Sequence, residues 1–201
     1  PRYELADVLQ GRCYIDDAVV SVSDVPNLSI LPTFGIGGTL KNYSETKLAD
    51  EPFVVQDLIG ELSGNYDHIV LDLSPGLGRL ERSVLIACDE IITPMTPEVF
   101  SLDGLEIFID ELSRLKKNFK VSVRHSKIIF NSFDERIKQH RDIVAAAASS
   151  GKYDVYRIPV DPLFRKAQEA GKVPQLYKSR GRGLKPATGE ALYSLNKSIW
   201  K

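Results

Sequence analysis

The strongest constraint on the fold is a repeated alternation along the chain. Short, mostly apolar runs at 28–34, 68–73, 90–95, 126–133 and 154–160 alternate with helix-length segments at 53–62, 79–88, 101–118 and 134–148. Several short runs are apolar nearly throughout, which suits strands covered on both faces. Within 101–118, Leu105, Phe108, Leu112 and Leu115 recur at three- and four-residue spacing and make one apolar stripe. Arg114, Lys116 and Lys117 in its last turn suit the negative end of a helix. Asp134 is placed to cap the next helix, with Glu135 in its first turn. Strand, helix and strand in repetition predict an α/β fold: a mostly parallel sheet with helices on both faces and right-handed crossovers. The tracts 35–42 and 179–186 read as loops from their glycines and polar residues. Residues 191–201 can form a helix with Leu192, Leu195 and Ile199 on one side.

With 43% hydrophobic and 26% charged residues in 201, the chain has the balance of a globular domain with a real core. Wholesale disorder, fibrous folds and disulfide-rich mini-proteins are excluded. No apolar run approaches the ~18 residues needed to cross a bilayer. Cys13 and Cys88 have neither metal-site spacing nor a disulfide framework, so a reducing, cytoplasmic setting is expected. His68, His125 and His140 lack a second ligand at metal spacing, so their roles are expected to be structural. Charge is uneven: residues 162–201 hold nine Lys or Arg against two acids, a local +7 in a chain of net −1. Such an excess favours a polyanionic partner.

The segment Tyr66-Asp-His-Ile-Val-Leu-Asp-Leu-Ser-Pro-Gly-Leu-Gly78 carries the most chemistry. An apolar run ends in Asp72, and the chain then turns through Ser74, Pro75 and Gly76 toward a helix. In open α/β sheets ligands bind at the carboxyl ends of the strands, where this carboxylate would project. A carboxylate there can hold Mg²⁺ through water, because the ion keeps most of its hydration shell. Capping of the next helix is the other use of the same residue.

Together with Ala87-Cys-Asp-Glu-Ile-Ile-Thr-Pro-Met-Thr-Pro-Glu98 and Ser101-Leu-Asp-Gly-Leu105, this segment resembles the ParA/MinD group of deviant Walker-type P-loop ATPases. Leu5-Ala-Asp-Val-Leu-Gln-Gly11, Ile15-Asp-Asp-Ala18 and Ile158-Pro-Val-Asp-Pro162 extend the resemblance over nearly the whole chain. It implies a three-layer α/β/α fold and an ATPase with ATP/ADP and Mg²⁺ as cofactors. By the same resemblance Asp72 matches the Walker B aspartate, catalytic and bound to Mg²⁺ via water. Ser74, Pro75 and Gly76 match the switch segment that senses the γ-phosphate. Glu98 resembles a residue that reaches the nucleotide of the partner subunit, or else is an acid at a helix N-terminus. Asn131 resembles the asparagine whose amide reads adenine, or else makes a turn before a helix. Pro159, Val160 and Asp161 match the loop along the adenine ring, although a plain strand-to-helix turn also uses Pro and Asp.

One departure is large. The signature G-x-x-x-x-G-K-[ST] does not occur, and the nearest tract, Gly35-Ile-Gly-Gly-Thr-Leu-Lys41, has a different spacing. The first strand, the P-loop helix and the second strand of the family are therefore expected to be missing. Residues 1–201 read as a single α/β domain incomplete at its N-terminus, with 162–201 as its basic C-terminal helical part. Lys178, Arg180, Arg182 and Lys185 lie in a glycine-containing tract that is either a solvated surface loop, or a clamp on neighbouring carboxylates, or, as the resemblance implies, a contact to DNA phosphates without base readout. The resemblance thus implies a partition ATPase that forms a homodimer with ATP and coats nonspecific DNA. A ParB-like DNA-bound protein would stimulate hydrolysis, and the setting would be cytoplasmic and nucleoid-associated. The alternatives are a MinD-like ATPase acting at the membrane, disfavoured by the narrow apolar face of 191–201, and a non-catalytic DNA- or partner-binding module.

Overall fold

Three of the five expected strands pair in parallel where the sequence puts them, a fourth pairs over only two residues, and the fifth joins no ladder among the described residues. The computed structural model describes residues 1–34, 39–48 and 50–200. They fall into two compact units, Pro1–Asp89 with Leu112–Val123, and Glu90–Glu111 with Arg124–Lys201.

The first unit is mainly helical. Short helices α1 (Leu5–Leu9) and α2 (Ile15–Ala18) begin at reciprocal caps. The Asp7 and Asp17 carboxylates accept the backbone N–H groups of Glu4 and Tyr14 at 2.9 and 3.2 Å, partners that a helix start otherwise lacks. Two-residue strands β1 (Val20–Ser21) and β2 (Ser29–Ile30) pair antiparallel, with Val20 opposite Ile30. Helices α3 (Thr39–Thr46), α4 (Val54–Leu62) and α5 (Arg79–Ala87) complete the unit. Tyr43, Val55, Val84, Leu85 and Ile86 are buried. The Tyr43 hydroxyl donates to Glu51 at 2.9 Å, and burial together with that carboxylate pushes its pKa up to about 12. Buried Ser83 donates to the Pro52 carbonyl at 2.8 Å, tying the start of α4 to α5.

Here the structure corrects three expectations. The run 28–34 contributes only β2, and that pairing is antiparallel. Of the expected loop 35–42, residues 35–38 lie outside the described residues, while Thr39, Leu40, Lys41 and Asn42 open α3. The run 68–73 forms no strand: its backbone joins no ladder among the described residues, and Val70 is 75% exposed. An apolar run becomes a strand only when a neighbour accepts its N–H and C=O groups.

The second unit is the parallel sheet. Strands β3 (Glu90–Met95), β4 (Arg124–Phe133) and β5 (Asp154–Pro159) lie in the order β3-β4-β5, with both pairings parallel. Helices α6 (Val99–Phe119) and α7 (Lys138–Ser149) make the crossovers, as parallel strands require. Through Glu111, α6 belongs to this unit; its last turns belong to the other. Ile128 and Phe130 of β4 and Ile143 and Val144 of α7 form the core, with Met95, Leu105 and Val155 packed around it. His125 has the structural role expected: its ring lies 5.4 Å from Phe108 and 4.9 Å from Tyr153, and its Nε2 meets the Thr93 hydroxyl at 2.9 Å. Lys127 is buried beside Glu90, with Nζ 2.6 Å from the carboxylate. Hydrogen bonds from Lys127 and Ser126 hold the Glu90 pKa below the usual range. Helices α8 (Pro162–Glu169) and α9 (Pro186–Ile199) follow β5, and α9 packs against β5. Asp134 does not cap α7, which starts after Ile137. Its carboxylate is held instead by the Arg136 guanidinium at 2.6 and 2.9 Å, which lowers its pKa strongly.

Candidate functional site

All strands of a parallel sheet end on the same side, so the segments after β3, β4 and β5 gather at one edge. After β3 come Thr96, fully buried Pro97 and exposed Glu98, whose carbonyl accepts the Ser101 N–H at the start of α6. Near the end of β4, exposed Asn131 accepts the Ser132 N–H through Oδ1 at 2.9 Å. Ser132 has φ 55°, a left-handed conformation that breaks the ladder between Phe130 and Phe133. Pro159 then pairs with Phe133, and the Val160 N–H donates to the Phe133 carbonyl at 3.2 Å. Asn131 thus lies in the break of the ladder just before Phe133 meets Pro159 and Val160, and Val160 is 48% exposed.

Asp161 turns away from that edge. Its Oδ1 accepts the Leu163 N–H at 3.0 Å, capping α8, and its Oδ2 accepts the Lys185 N–H at 2.8 Å. Burial works against its charge, but these two N–H groups, the Thr188 hydroxyl and the Lys185 ammonium together hold its pKa below the usual range. Among the described residues the buried Thr188 hydroxyl has no partner at full hydrogen-bond geometry. Asp161 is therefore a clamp between α8 and α9, the plain structural use of an aspartate before a proline.

Beyond it, Ser179 and Arg182 bridge a tight hairpin whose middle residues, Arg180 and Gly181, have φ 52° and 77°. Two consecutive positive φ values are the mark of a type I′ turn. Lys178, Arg180, Arg182 and Lys185 are all exposed. The Lys185 ammonium is engaged, donating to the Val160 carbonyl at 3.0 Å. Sequence reasoning missed Lys166 of α8, which lines a hollow with Arg180 and Arg182. Its signal was available, because Asp161 followed by Pro162 marks a helix start and fixes where Lys166 sits.

Asp72, Ser74, Pro75 and Gly76 belong to the helical unit. Asp72 is exposed and its carboxylate has no partner among the described residues. The Ser74 hydroxyl donates to Glu81 Oε1 at 2.5 Å across the first turn of α5. Gly78 precedes that turn, and a Cβ there would stand 2.7 Å from Glu81 Oε2, so glycine lets the carboxylate fold back onto the loop. Ser74, Gly76 and Gly78 line an open cavity of about 810 Å³ with α3 and α5. That volume is within the range of small-molecule sites. The Arg79 guanidinium donates to the Glu45 carbonyl in its wall. Glu81 was another unpredicted member, although a glycine N-cap with Glu at the third helical position is a recognisable start.

A parallel three-stranded sheet whose crossover helices leave loops at its carboxyl edge places this unit among the α/β proteins, in which ligands bind at that edge. A family described as an AAA domain matches residues 2–125. An uncharacterized protein of Borreliella burgdorferi is 31% identical over 168 residues, 83% of this chain and 67% of the relative. The chromosome-partitioning ATPase Soj of Treponema pallidum is 26% identical over 139 residues, 69% of this chain and 54% of the relative. A crystal structure of a plasmid partition protein from Borrelia burgdorferi bound to AMPPNP superposes with a TM-score of 0.77 at 21% identity, covering 98% of this chain and 74% of that one. At that identity the likeness is one of fold. The chain belongs to the ParA/MinD family of P-loop ATPases. It spans between about half and two thirds of the length of these two curated relatives.

The residues present fit ATP and Mg²⁺ in part. The exposed Asp72 carboxylate suits a hydrated Mg²⁺, which one or two carboxylates can hold. The exposed Asn131 amide, at the same end of the sheet as Pro159 and Val160, suits a purine edge. The lysine-bearing phosphate cradle of the family has no counterpart in these 201 residues.

Proposed function

We propose that the chain is the greater part of a ParA-type partition ATPase that binds ATP with Mg²⁺, dimerises around it and holds nonspecific DNA. The reading is supported by the parallel edge at which β4 and β5 end, with Asn131 on one strand and Pro159 and Val160 on the other. There the Asn131 side chain donates to and accepts from the adenine, while Pro159 and Val160 cover its face and exclude water. Asp72 orients the hydrated Mg²⁺ and the attacking water. Ser74, Pro75 and Gly76 follow the terminal phosphate; to do so Ser74 must exchange its bond with Glu81 for one to the ligand. Glu98, exposed before α6, reaches toward the partner subunit. The nucleotide supplies a phosphoryl group for transfer to water, a reaction in which positioning and charge neutralisation do most of the catalysis. Lys178, Arg180, Arg182 and Lys185 meet DNA phosphates, and a ParB-like DNA-bound protein stimulates turnover on the nucleoid. Docking of α9 on β5 occupies the helix that a membrane-bound relative would insert, which weighs for DNA rather than lipid.

The test is a titration of the chain with a fluorescent ATP analogue, with and without Mg²⁺. Asn131→Ala is expected to weaken binding by about tenfold, the scale of a lost hydrogen-bonded pair. Asp72→Ala is expected to remove the Mg²⁺ dependence and leave the affinity without Mg²⁺ unchanged. Binding that ignores both substitutions refutes the site. Because the phosphate cradle is not among these residues, hydrolysis by the chain alone is expected to be negligible. Brisk turnover abolished by Asp72→Ala would show that another segment serves as the cradle.

A further inference from the structure

The peptide unit between Phe133 and Asp134 is held at both of its polar ends. Its carbonyl accepts the Val160 N–H at 3.2 Å, and its N–H donates to Nδ1 of His140 at 3.1 Å. His140 stands in the first turn of α7, half-buried, with its ring 6.3 Å from that of Phe133. An imidazole nitrogen accepts a hydrogen bond only while it carries no proton, so this geometry assigns the neutral ring with its proton on Nε2. Asn131 depends on that bond through Ser132. Ser132 is left-handed at φ 55°, a conformation that a residue with a side chain keeps only when its surroundings over-determine it. Its own N–H is held by Asn131 Oδ1 at 2.9 Å, and Val160 and His140 fix the far side of the turn. The N-cap of α7, Ile137, makes no side-chain cap bond, so it adds nothing to that hold.

The charges around the ring are mixed. In the connection before α7, the Asp134 carboxylate lies near the ring, itself gripped by Arg136, and Glu135 is exposed. On α7, Lys138 pairs with Asp142, and the Arg141 guanidinium reaches the Glu135 carbonyl. On β5, the Arg157 guanidinium lies 5.8 Å from the centre of the Phe133 ring, which has His140 as its other neighbour. Asp134 attracts a proton to the ring and the three arginines oppose one. The direct contact, a backbone N–H pointing at Nδ1, admits only the unprotonated nitrogen.

We propose that neutral His140 is a positioning residue for the base site: it pins the peptide between Phe133 and Asp134, and with it the turn that aims the Asn131 amide, and acid releases the pin. Protonation sets a second donor against the Asp134 N–H, the bond is lost, and the turn at Ser132 gives up one of its holds. ATP affinity therefore falls across the range in which imidazoles charge, from about pH 8 to about pH 5. The link to ATP rests on the reading of Asn131 given above, whereas the pin is measured without nucleotide.

Nitrogen NMR of the labelled chain reads the pin. At about pH 8 the expected result is the Nε2–H tautomer of His140 and a protected Asp134 amide. By about pH 5 the ring carries both protons, and amide protection falls by about tenfold, the scale of one hydrogen bond. His140→Asn places an amide oxygen where Nδ1 stands and does not titrate, so it should keep the protection throughout. His140→Leu, with no acceptor, should show the lowered protection throughout. In a titration with a fluorescent ATP analogue, wild type should lose about fivefold to tenfold in affinity over the same range beyond what His140→Asn loses. The asparagine variant carries the titration of the nucleotide phosphates and of the other histidines as a common background. An Nδ1–H tautomer or an unprotected Asp134 amide at about pH 8 overturns the pin, as does a His140→Asn variant whose amide is as acid-sensitive as wild type. An amide that responds as expected, with no affinity difference between wild type and His140→Asn, overturns the link to the base site. Failure of the wild-type chain to bind the analogue at either pH overturns the Asn131 reading instead, with the NMR result intact.

Discussion

Asp161→Ala separates the structural use of this aspartate from a role in nucleotide binding. The residue is 9% exposed and accepts two backbone N–H groups, from Leu163 at 3.0 Å and from Lys185 at 2.8 Å. Losing the cap of α8 costs about 1 kcal/mol. Leaving the part-buried Lys185 N–H without a partner adds roughly 1–3 kcal/mol. The expected loss at neutral pH is therefore about 2–4 kcal/mol, large against the whole stability of a small domain. Asp161→Asn keeps one acceptor and should fall between alanine and wild type. The pH dependence has a definite sign. Because the native pKa lies below the ordinary aspartate value, the stabilisation is complete above about pH 4 and is lost as pH falls through the native value. The gap between wild type and Asp161→Ala should thus be largest at neutral pH and close in acid. Urea denaturation followed by far-UV circular dichroism across pH measures it. A gap under about 0.5 kcal/mol at neutral pH, or one that widens in acid, refutes the clamp.

Phe130→Ala should cost about 3–5 kcal/mol by the same measurement, because Phe130 is fully buried between β4 and α7. Glu90→Gln should remove part of the pH dependence: its depressed pKa means wild type loses this contribution as pH falls below about 4.3, so the two proteins should converge in acid. Gly78→Ala should leave global stability within about 1 kcal/mol, since the clash falls on the far end of the Glu81 side chain. It should also release Ser74, which hydrogen exchange or limited proteolysis of the 72–78 loop reads out; unchanged protection there would refute the Ser74–Glu81 latch.

Strands β3, β4 and β5 and helix α5 were legible to within a residue or two, because a short apolar run and a helix with one apolar stripe each leave a trace in the sequence. At the candidate site, the strand ends that carry Asn131, Pro159 and Val160 were legible, while their use rests on the family resemblance. Helices α1, α2 and α3 were not, being too short to show a period. The starts of α8 and α9 were marked by Pro162 and Pro186 at the first helical position, a signal stronger than the glycines around them.

What the chain's own residues decide is local: apolar period, caps, turn-forming Arg180 and Gly181, and the excess of cations after Asp161. What tertiary structure decides is partnership. The run 68–73 is as apolar as β3, yet β3 has β4 beside it while 68–73 joins no ladder among the described residues. The Asp161 carboxylate could have faced a ligand, but Lys185, 24 residues on, brings it an N–H to accept. Lys166 was one cation among many until the hairpin set Arg180 and Arg182 around the same hollow. Hydrogen-bond and charge partners are distant in sequence, and no window along the chain contains them.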